Sequence, residues 1–174
     1  MTGAGDSRPR RGARATGALT VDVTAGGVRV PLARASVSAL AREVLRAEGV
    51  RQAEISLTFV DRPTIAALNW RHLRHRGPTD IITFELGRVA DDAPVIGDVY
   101  IAPEVAREQA REHGVPVREE LARLVVHGML HVLGQEHPDG EERVGSPMWA
   151  AQERHVRRLR RLWSAPARTT GVAR

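Results

Sequence analysis

The sequence predicts an α+β fold in which a small mixed β-sheet carries helices packed on it. Short apolar alternations typical of strands fall within residues 18–102, and helical spacings dominate the residues that follow. Strands and helices alternate only in the first units of the chain, which favours α+β over a regular α/β repeat. The 174 residues suit one domain that is large enough to bury a core.

Four segments show the pattern of strands. The first, "ALTVDVTAGGVRVPL" at residues 18–32, alternates around Gly26-Gly27 and predicts a bent strand or a hairpin. The others are "AEISLTFV" at 53–60, "DIITFEL" at 80–86 and "VIGDVYIA" at 95–102. A polar loop at 87–94 joins the last two strands.

Helical spacing of apolar residues predicts five helices. The first has Gly49 as its stop, and the second opens at Asp61 with Pro63 in its first turn. The helices span residues 36–50, 61–73, 103–114, 117–133 and about 147–163.

The positive charge is concentrated at the two ends of the chain. The net charge is +5, but residues 1–17 carry +3 and residues 154–174 carry +7, which leaves −5 on residues 18–153. We expect residues 1–17 and 164–174 to be disordered tails, the first of them basic, around a single catalytic metal-binding domain at 18–163. Basic tails also suit loose contact with phosphates.

Composition excludes several classes of protein. There is no cysteine, so disulfides, thiolate metal ligands and a cysteine nucleophile are excluded. No apolar run approaches the roughly 20 residues that a membrane span needs. The N-terminal arginines are not followed by the apolar segment of a secretory signal. We expect a cytoplasmic protein with no membrane partner.

The stretch "LVVHGMLHVLGQEH" at residues 124–137 carries three of the seven histidines. His127 and His131 are four residues apart on an apolar helix, so their side chains share one face about 6 Å apart. Gly134 suits a left-handed helix end, after which the chain can turn His137 back toward them. The pattern predicts one metal ion held by His127, His131 and His137. The alternative is a set of buried core histidines.

Three nitrogen ligands favour zinc, or another late first-row metal, over magnesium or calcium. Three protein ligands with a fourth position open are typical of a catalytic site, whereas structural zinc takes four. Without carboxylate ligands the ion keeps its full charge, so it would attract anionic substrates and acidify water toward a pKa of about 7. We expect one zinc ion as the cofactor.

The spacing H-x3-H-x2-G-x2-H is also that of the metzincin peptidases, which use a glutamate after the first histidine as general base. Gly128 occupies that position here. It is explained by close helix packing, by close approach of substrate, or by the repulsion that a carboxylate would exert on an anionic substrate. Met148 would imitate the methionine turn beneath such sites or simply fill the core.

The segment "ARLVVHGMLHVLGQEH" closely resembles the H-G-x-L-H-x-x-G-x-D-H signature of the YbeY family of bacterial endoribonucleases. Glu136 stands where that family usually has aspartate. The resemblance covers about residues 50–160, and four shorter blocks match the family in order. These blocks are "LN" at 68–69, "PTDIITF" at 78–84, "GDVYIA" at 97–102 and "REEL" at 118–121.

The resemblance implies a metal-dependent endoribonuclease directed at single strands, with zinc on His127, His131 and His137. It implies RNA partners, namely ribosomal RNA and the ribosome or its small subunit. The expected roles are maturation of the small-subunit ribosomal RNA 3′ end and ribosome quality control. The residues leave two alternatives open: a zincin-like peptidase or amidase, and a non-enzymatic, metal-stabilised ribosome assembly factor. They assign no general base.

One block departs from the usual family pattern. The family has an arginine four positions after Leu-Asn, near the substrate groove, whereas this chain has Leu73 there and Arg74 next to it. This favours a variant branch of the family. Arg71, Arg74, His75 and Arg76 would contact phosphates or form a solvated helix end.

Four further side chains have simpler interpretations. Asp80 opens a strand after Pro-Thr and is expected to cap that turn, with ligand or substrate contact as its alternative role. His72, His113 and His155 are expected at the surface.

Overall fold

A single mixed β-sheet organises the computed structural model, which describes residues 18–88, 93–138 and 140–164, without the side chain of residue 141. The expected tail 1–17, residues 165–174 of the expected tail 164–174, and part of the 87–94 loop lie outside these residues. The four strands run in the order β1-β2-β4-β3. They are β1 (Leu19–Ala25), β2 (Ala53–Phe59), β3 (Ile81–Gly87) and β4 (Val95–Ile101).

The pairing confirms the mixed sheet of the α+β prediction. β1 and β4 pair with β2 in parallel, and β3 pairs with β4 antiparallel, which places β3 at one edge. The expectation of a bent strand or a hairpin over 18–32 is only half right. The strand ends at Ala25, and the Gly26 N–H donates to the Phe59 carbonyl at 2.9 Å before Gly27 turns with φ +77°. Residues 26–33 form no strand.

Six α-helices pack around the sheet in the part of the chain that the structure describes. The first ends before Gly49, which has φ +79°, and Asp61 accepts a hydrogen bond from the Thr64 N–H at 2.9 Å, as expected of a helix start. The helix expected over 147–163 is broken at Leu159 into two. The helices are α1 (Arg34–Ala47), α2 (Arg62–Leu68), α3 (Pro103–Glu112), α4 (Val117–Val132), α5 (Pro147–Arg158) and α6 (Arg160–Ser164). None of the helices in the described residues is long and apolar enough to cross a membrane.

The main core lies on one face of the sheet. Ala53, Ile55 and Leu57 of β2 belong to it and alternate with more exposed neighbours. On this face α1 packs against β1, and α4 packs against α1, β3 and β4. On the opposite face a smaller cluster around Ile65 and Ile82 joins α2 to β3. Helix α4 is therefore central, with its second half buried as the apolar pattern predicts.

Two glycines allow α4 to lie close to the sheet. A Cβ atom on Gly97 of β4 would lie 2.7 Å from the methyl groups of Val132, and one on Gly128 would lie 2.9 Å from Val99. Both distances are shorter than real Cβ contacts. Because Gly97 faces Val132 and Gly128 faces Val99, α4 runs antiparallel to β4. These contacts also fix where His127 and His131 lie along the neighbouring edge strand β3.

Candidate metal centre

Helix α4 presents two imidazoles one turn apart. The ring centroids of His127 and His131 are 4.5 Å apart, and their Nε2 atoms approach to 3.0 Å. This is the shared face expected from the i, i+4 spacing.

The turn after α4 brings in the third imidazole. Gly134 has φ +76°, and the Gln135 N–H donates to the Leu130 carbonyl at 3.0 Å, which closes the helix end. The ring centroid of His137 then lies 5.1 Å from each of the other two. One nitrogen from each histidine lies within 4.8 Å of the other two, so the triad could hold a metal ion.

The hydrogen bonds of the other ring nitrogens fit a metal site. His127 Nδ1 lies 2.8 Å from Gln152 Oε1, and His137 Nδ1 lies 2.8 Å from the Pro138 carbonyl oxygen. Both partners are acceptors, so each Nδ1 carries the proton and each Nε2 keeps its lone pair. The Nε2 of His137 is buried and has no hydrogen-bond partner among the described residues. The lone pairs of these two Nε2 atoms, close to each other and to a nitrogen of His131, fit a cation.

Burial keeps the helix histidines neutral. Desolvation, followed by the nearby His131, lowers the pKa of His127 to about 4, although the Gln152 hydrogen bond and Asp80 oppose the shift. Burial and then His137 also lower the pKa of His131. A neutral imidazole is the form that binds metal, so protons do not compete at neutral pH.

A buried polar network supports His127 from behind. Gln152 of α5, which is 2% exposed, also donates to Glu153 at 3.2 Å. Glu153 pairs with Arg123 at 2.8 Å, and this arginine also pairs with Glu119 and Glu120. The pKa of Glu153 is lowered by Arg123 and Gln152 despite its burial. The amphipathic pattern of α5 gave no reason to assign Gln152 to the site.

A second network holds the turn that carries His137. Glu48, at the end of α1, accepts from Gln135 Nε2 at 3.0 Å and lies 2.6 Å from His155 Nε2. His155 is 3% exposed, so the expectation that it lies at the surface is wrong. The reason is tertiary: α5 packs against α4 on this face, and Glu48 supplies a polar partner that makes burial of an imidazole tolerable.

Two of the three histidines, His127 and His137, line a cavity of about 440 Å³. Its walls combine apolar side chains with charged ones, and the Arg143 guanidinium lies over the Trp149 ring at 5.4 Å. The lining residues around the histidines include Asp80, Ile81, Leu124, Arg143, Trp149 and Gln152.

The other candidate residues fall into place around this site. Asp80 Oδ1 accepts from Thr79 Oγ1 at 3.0 Å and from the Ile81 N–H at 2.9 Å, which confirms its capping role, although the residue also lines the cavity. Met148 is 2% exposed within the main core, so it fills the core as the simpler interpretation held. Gly128 faces Val99, which favours close helix packing as its explanation.

The arginine-rich segment lies apart from the cavity lining. Arg71, Arg74, His75 and Arg76 are all exposed. His72 and His113 are exposed as expected, and His72 contacts Phe84 edge-on with ring centroids 4.9 Å apart.

Comparison with known proteins decides the family. The family model described as Endoribonuclease YbeY matches residues 27–160. The chain belongs to this family. Among its YbeY relatives, the endoribonuclease YbeY of Beutenbergia cavernae is 46% identical over 121 residues, covering 65% of this chain and 81% of that protein. The endoribonuclease YbeY of Bacillus licheniformis is 40% identical over 135 residues, covering 71% and 85%.

A solved structure agrees with the fold. The solution structure of TM1509 from Thermotoga maritima superposes with a TM-score of 0.56 at 23% identity, and the match covers 83% of this chain and 92% of that one. The agreement supports the α+β fold. The match of the family model to residues 27–160 confirms the family expected from the histidine signature.

Proposed function

We propose that this YbeY-family protein is a metal-dependent endoribonuclease that cleaves single-stranded RNA, with one zinc ion held by His127, His131 and His137. The observation that carries the proposal is the convergence of three imidazole nitrogens, with no carboxylate among them, beside a cavity of about 440 Å³ that two of the histidines, His127 and His137, line. Relatives named endoribonuclease YbeY support the choice of substrate.

The chain's own residues prepare this site for an anionic substrate. The acceptors at Gln152 and Pro138 hold two imidazoles in the tautomer that presents Nε2. A zinc ion held there would supply a positive charge that polarises a phosphate oxygen and lowers the pKa of water. Three neutral ligands would leave that charge uncompensated, which favours a phosphodiester over a neutral peptide bond.

Two cavity residues are suited to handle the substrate and its protons. Arg143 is a cation at the cavity wall, held over Trp149, and suits contact with a phosphate oxygen. Asp80 uses Oδ1 in both of its turn hydrogen bonds and lines the cavity, so its Oδ2 is a candidate to accept a proton there. We propose Asp80 as the group to test for proton transfer.

The peptidase alternative rests on the shared H-x3-H-x2-G-x2-H spacing. It lacks the glutamate that such enzymes use as base, because Gly128 faces the sheet and a longer side chain has no space there. The third possibility is an assembly factor in which the metal only stabilises the helix end.

One experiment separates the three functions. Purified protein is incubated separately with structured RNA containing single-stranded loops, with casein and with ribosomal subunits, with and without a chelator, beside His131→Ala. We expect RNA cleavage in the loops that the chelator and the substitution both abolish. Digestion of casein alone would establish the peptidase, and binding of ribosomal subunits without any cleavage would establish the assembly factor.

The cellular role follows from the family resemblance. We propose that the enzyme acts in the cytoplasm on small-subunit ribosomal RNA, maturing its 3′ end and contributing to ribosome quality control. A transcript of the small-subunit RNA with an extended 3′ end is the direct substrate to test, with cleavage sites mapped by primer extension. Cleavage confined to unrelated loops, with the 3′ extension intact, would contradict this role.

We further propose that residues 18–163 form the single catalytic domain and that residues 1–17 and 164–174 are tails. The last described helix ends at Ser164, which supports the second boundary to within a residue. Deleting residues 1–17 should leave folding and zinc content unchanged, while RNA affinity weakens mainly at low salt. A truncated protein that loses its metal would refute this boundary.

A further inference from the structure

An exposed aromatic and basic segment projects from the sheet at the end of α2. We call residues 70–76 the Trp70 patch. All seven are exposed, including the large apolar side chains of Trp70 (47% exposed) and Leu73 (48% exposed). An exposed indole surrounded by arginines is unusual on a surface that has no binding role.

The patch is held in a defined shape. It begins within a single π-helical turn at Asn69–Leu73, and Arg74 follows in the left-handed conformation with φ +59°. The buried side chain of Asn69 donates to the Gly77 carbonyl at 2.9 Å, which closes the loop. The contact of His72 with Phe84 attaches the loop to strand β3. The local backbone conformation is thus fixed by tertiary contacts while the indole remains in solvent.

The charge of the patch is positive and unpaired. Residues 62–79 contain no acidic residue. Arg71, Arg74 and Arg76 form no ion pair within the described residues, whereas Arg74 and Arg76 place their guanidinium carbons 5.9 and 5.7 Å from the centre of the Trp70 ring. Both distances fall within the range of cation–π contacts.

The patch lies within reach of the metal centre along the chain. Arg76 is four residues before Asp80, which lines the cavity, so their Cα atoms are at most about 14 Å apart. A strand of RNA that enters the cavity over the edge strand β3 can therefore pass across the patch.

We propose that the Trp70 patch is a stacking platform for a base of single-stranded RNA, flanked by arginines that contact its phosphates. This inference rests on the proposed ribonuclease function and adds a binding site to it. A base stacked on an aromatic ring binds more strongly than an exposed guanidinium does, so a base displaces one arginine from Trp70. The displaced guanidinium then becomes available to a phosphate. Paired bases in a duplex do not offer their faces, so the platform selects single strands.

Binding by metal-free protein tests the platform without cleavage. Chelator-treated wild type is titrated against a fluorescein-labelled short oligouridylate and against an RNA duplex of equal length. Trp70→Ala should weaken binding of the oligouridylate about 10-fold and leave binding of the duplex nearly unchanged. Trp70→Phe keeps an aromatic face and should recover most of the lost affinity. Arg74→Ala with Arg76→Ala should weaken both ligands and reduce the salt dependence of binding.

Two matched controls isolate the effect. Leu86→Ala removes another exposed apolar side chain, 59% exposed, at the end of β3 that lies away from Asp80 and the cavity. Arg51→Ala removes an exposed arginine that precedes β2 at that same end of the sheet. Both should bind the oligouridylate like wild type. Circular dichroism should show the same fold for every variant.

The outcomes separate the two proposals. If Trp70→Ala binds the oligouridylate as tightly as Leu86→Ala, or loses the duplex equally, the stacking platform is wrong while zinc-dependent cleavage by wild type still stands. If wild type neither binds nor cleaves RNA, the ribonuclease function itself fails, and the platform fails with it.

Discussion

His127 and His137 carry the same chemical group but are held in opposite ways. His127 stands on a buried helix, with its Nδ1 bound to a side chain of another helix, Gln152. His137 lies in a turn, with its Nδ1 bound to the carbonyl of the next residue. The first orientation depends on packing of α4 against α5 and the sheet. The second depends mainly on a local hydrogen bond and on the closure of the helix at Gly134.

The helix holds its two histidines rigidly, whereas the turn allows the third histidine to reach the same point. A helix fixes two imidazoles on one face but cannot point a residue six positions further at the same spot, because the helical rotation carries that residue off the face. The turn after Gly134 removes this constraint and brings His137 back. It has less packing of its own, so Glu48 anchors it through Gln135. The networks behind the two histidines can therefore be tested separately.

The largest expected effect comes from removing a member of the triad. His127→Ala, His131→Ala and His137→Ala should each lower zinc affinity more than about 100-fold, beyond the range seen when only a partner of a ligand is lost. Two nitrogens chelate far less well than three. Elemental analysis and a competition titration with a chromogenic chelator measure the loss. One equivalent of tightly held zinc in His137→Ala would show that the turn contributes no ligand.

A smaller loss of zinc affinity is expected when the hydrogen-bond partner of His127 is removed. Gln152→Leu keeps the volume of the side chain but removes the acceptor for His127 Nδ1, so zinc affinity should fall about 10- to 100-fold. Gln152→Glu keeps an acceptor and should retain most of the affinity. The same chelator titration applies to both. Equal affinities for Gln152→Leu and wild type would mean that packing alone orients His127.

Glu48 should affect stability more than chemistry. Glu48→Ala leaves the buried Nε2 of His155 and the side chain of Gln135 without a partner, which costs about 1–3 kcal/mol of unfolding free energy. Zinc affinity should fall less than in Gln152→Leu. Urea denaturation measures the first effect, and chelator titration measures the second.

The matched control lies on the same helix. Glu43 forms an exposed ion pair with Arg46 at 2.6 Å, so Glu43→Ala should cost at most about 1 kcal/mol. If Glu48→Ala unfolds no more easily than Glu43→Ala, Glu48 does not anchor the turn.

The smallest expected effect tests the packing that sets the height of α4. Gly128→Ala should destabilise the protein by about 1 kcal/mol, because crowding against Val99 and Ile81 costs more than the helical preference of alanine returns. The loss should shrink when the substitution is made in a Val99→Ala background. If Gly128→Ala is more stable than wild type in urea denaturation, Val99 and Ile81 accommodate the added methyl group without a cost in stability.

Much of the site was predictable because its determinants are local. An apolar helix, histidines four residues apart, and a glycine where the chain must turn all lie within fourteen consecutive residues at 124–137. The helix start at Asp61 and the stop at Gly49 were predictable for the same reason. The prediction for residues 18–32 was only half right, because an alternating pattern does not show that residues 26–33 form no strand.

The sequence by itself determined the α+β class, the family signature and the three histidines that meet at the centre. Only the tertiary structure decided which residues form the hydrogen bonds that hold these histidines and the turn after α4. Gln152 is 25 residues from His127 along the sequence. Glu48 is 87 residues from Gln135 and 107 residues from His155. Periodicity reports which face of an element is buried and not which element covers it, so a polar side chain on a buried face is identified as a partner only once the helices are packed. The need for glycine at position 128 also became clear only from the packing, because Val99 of β4 leaves no space for a Cβ atom there.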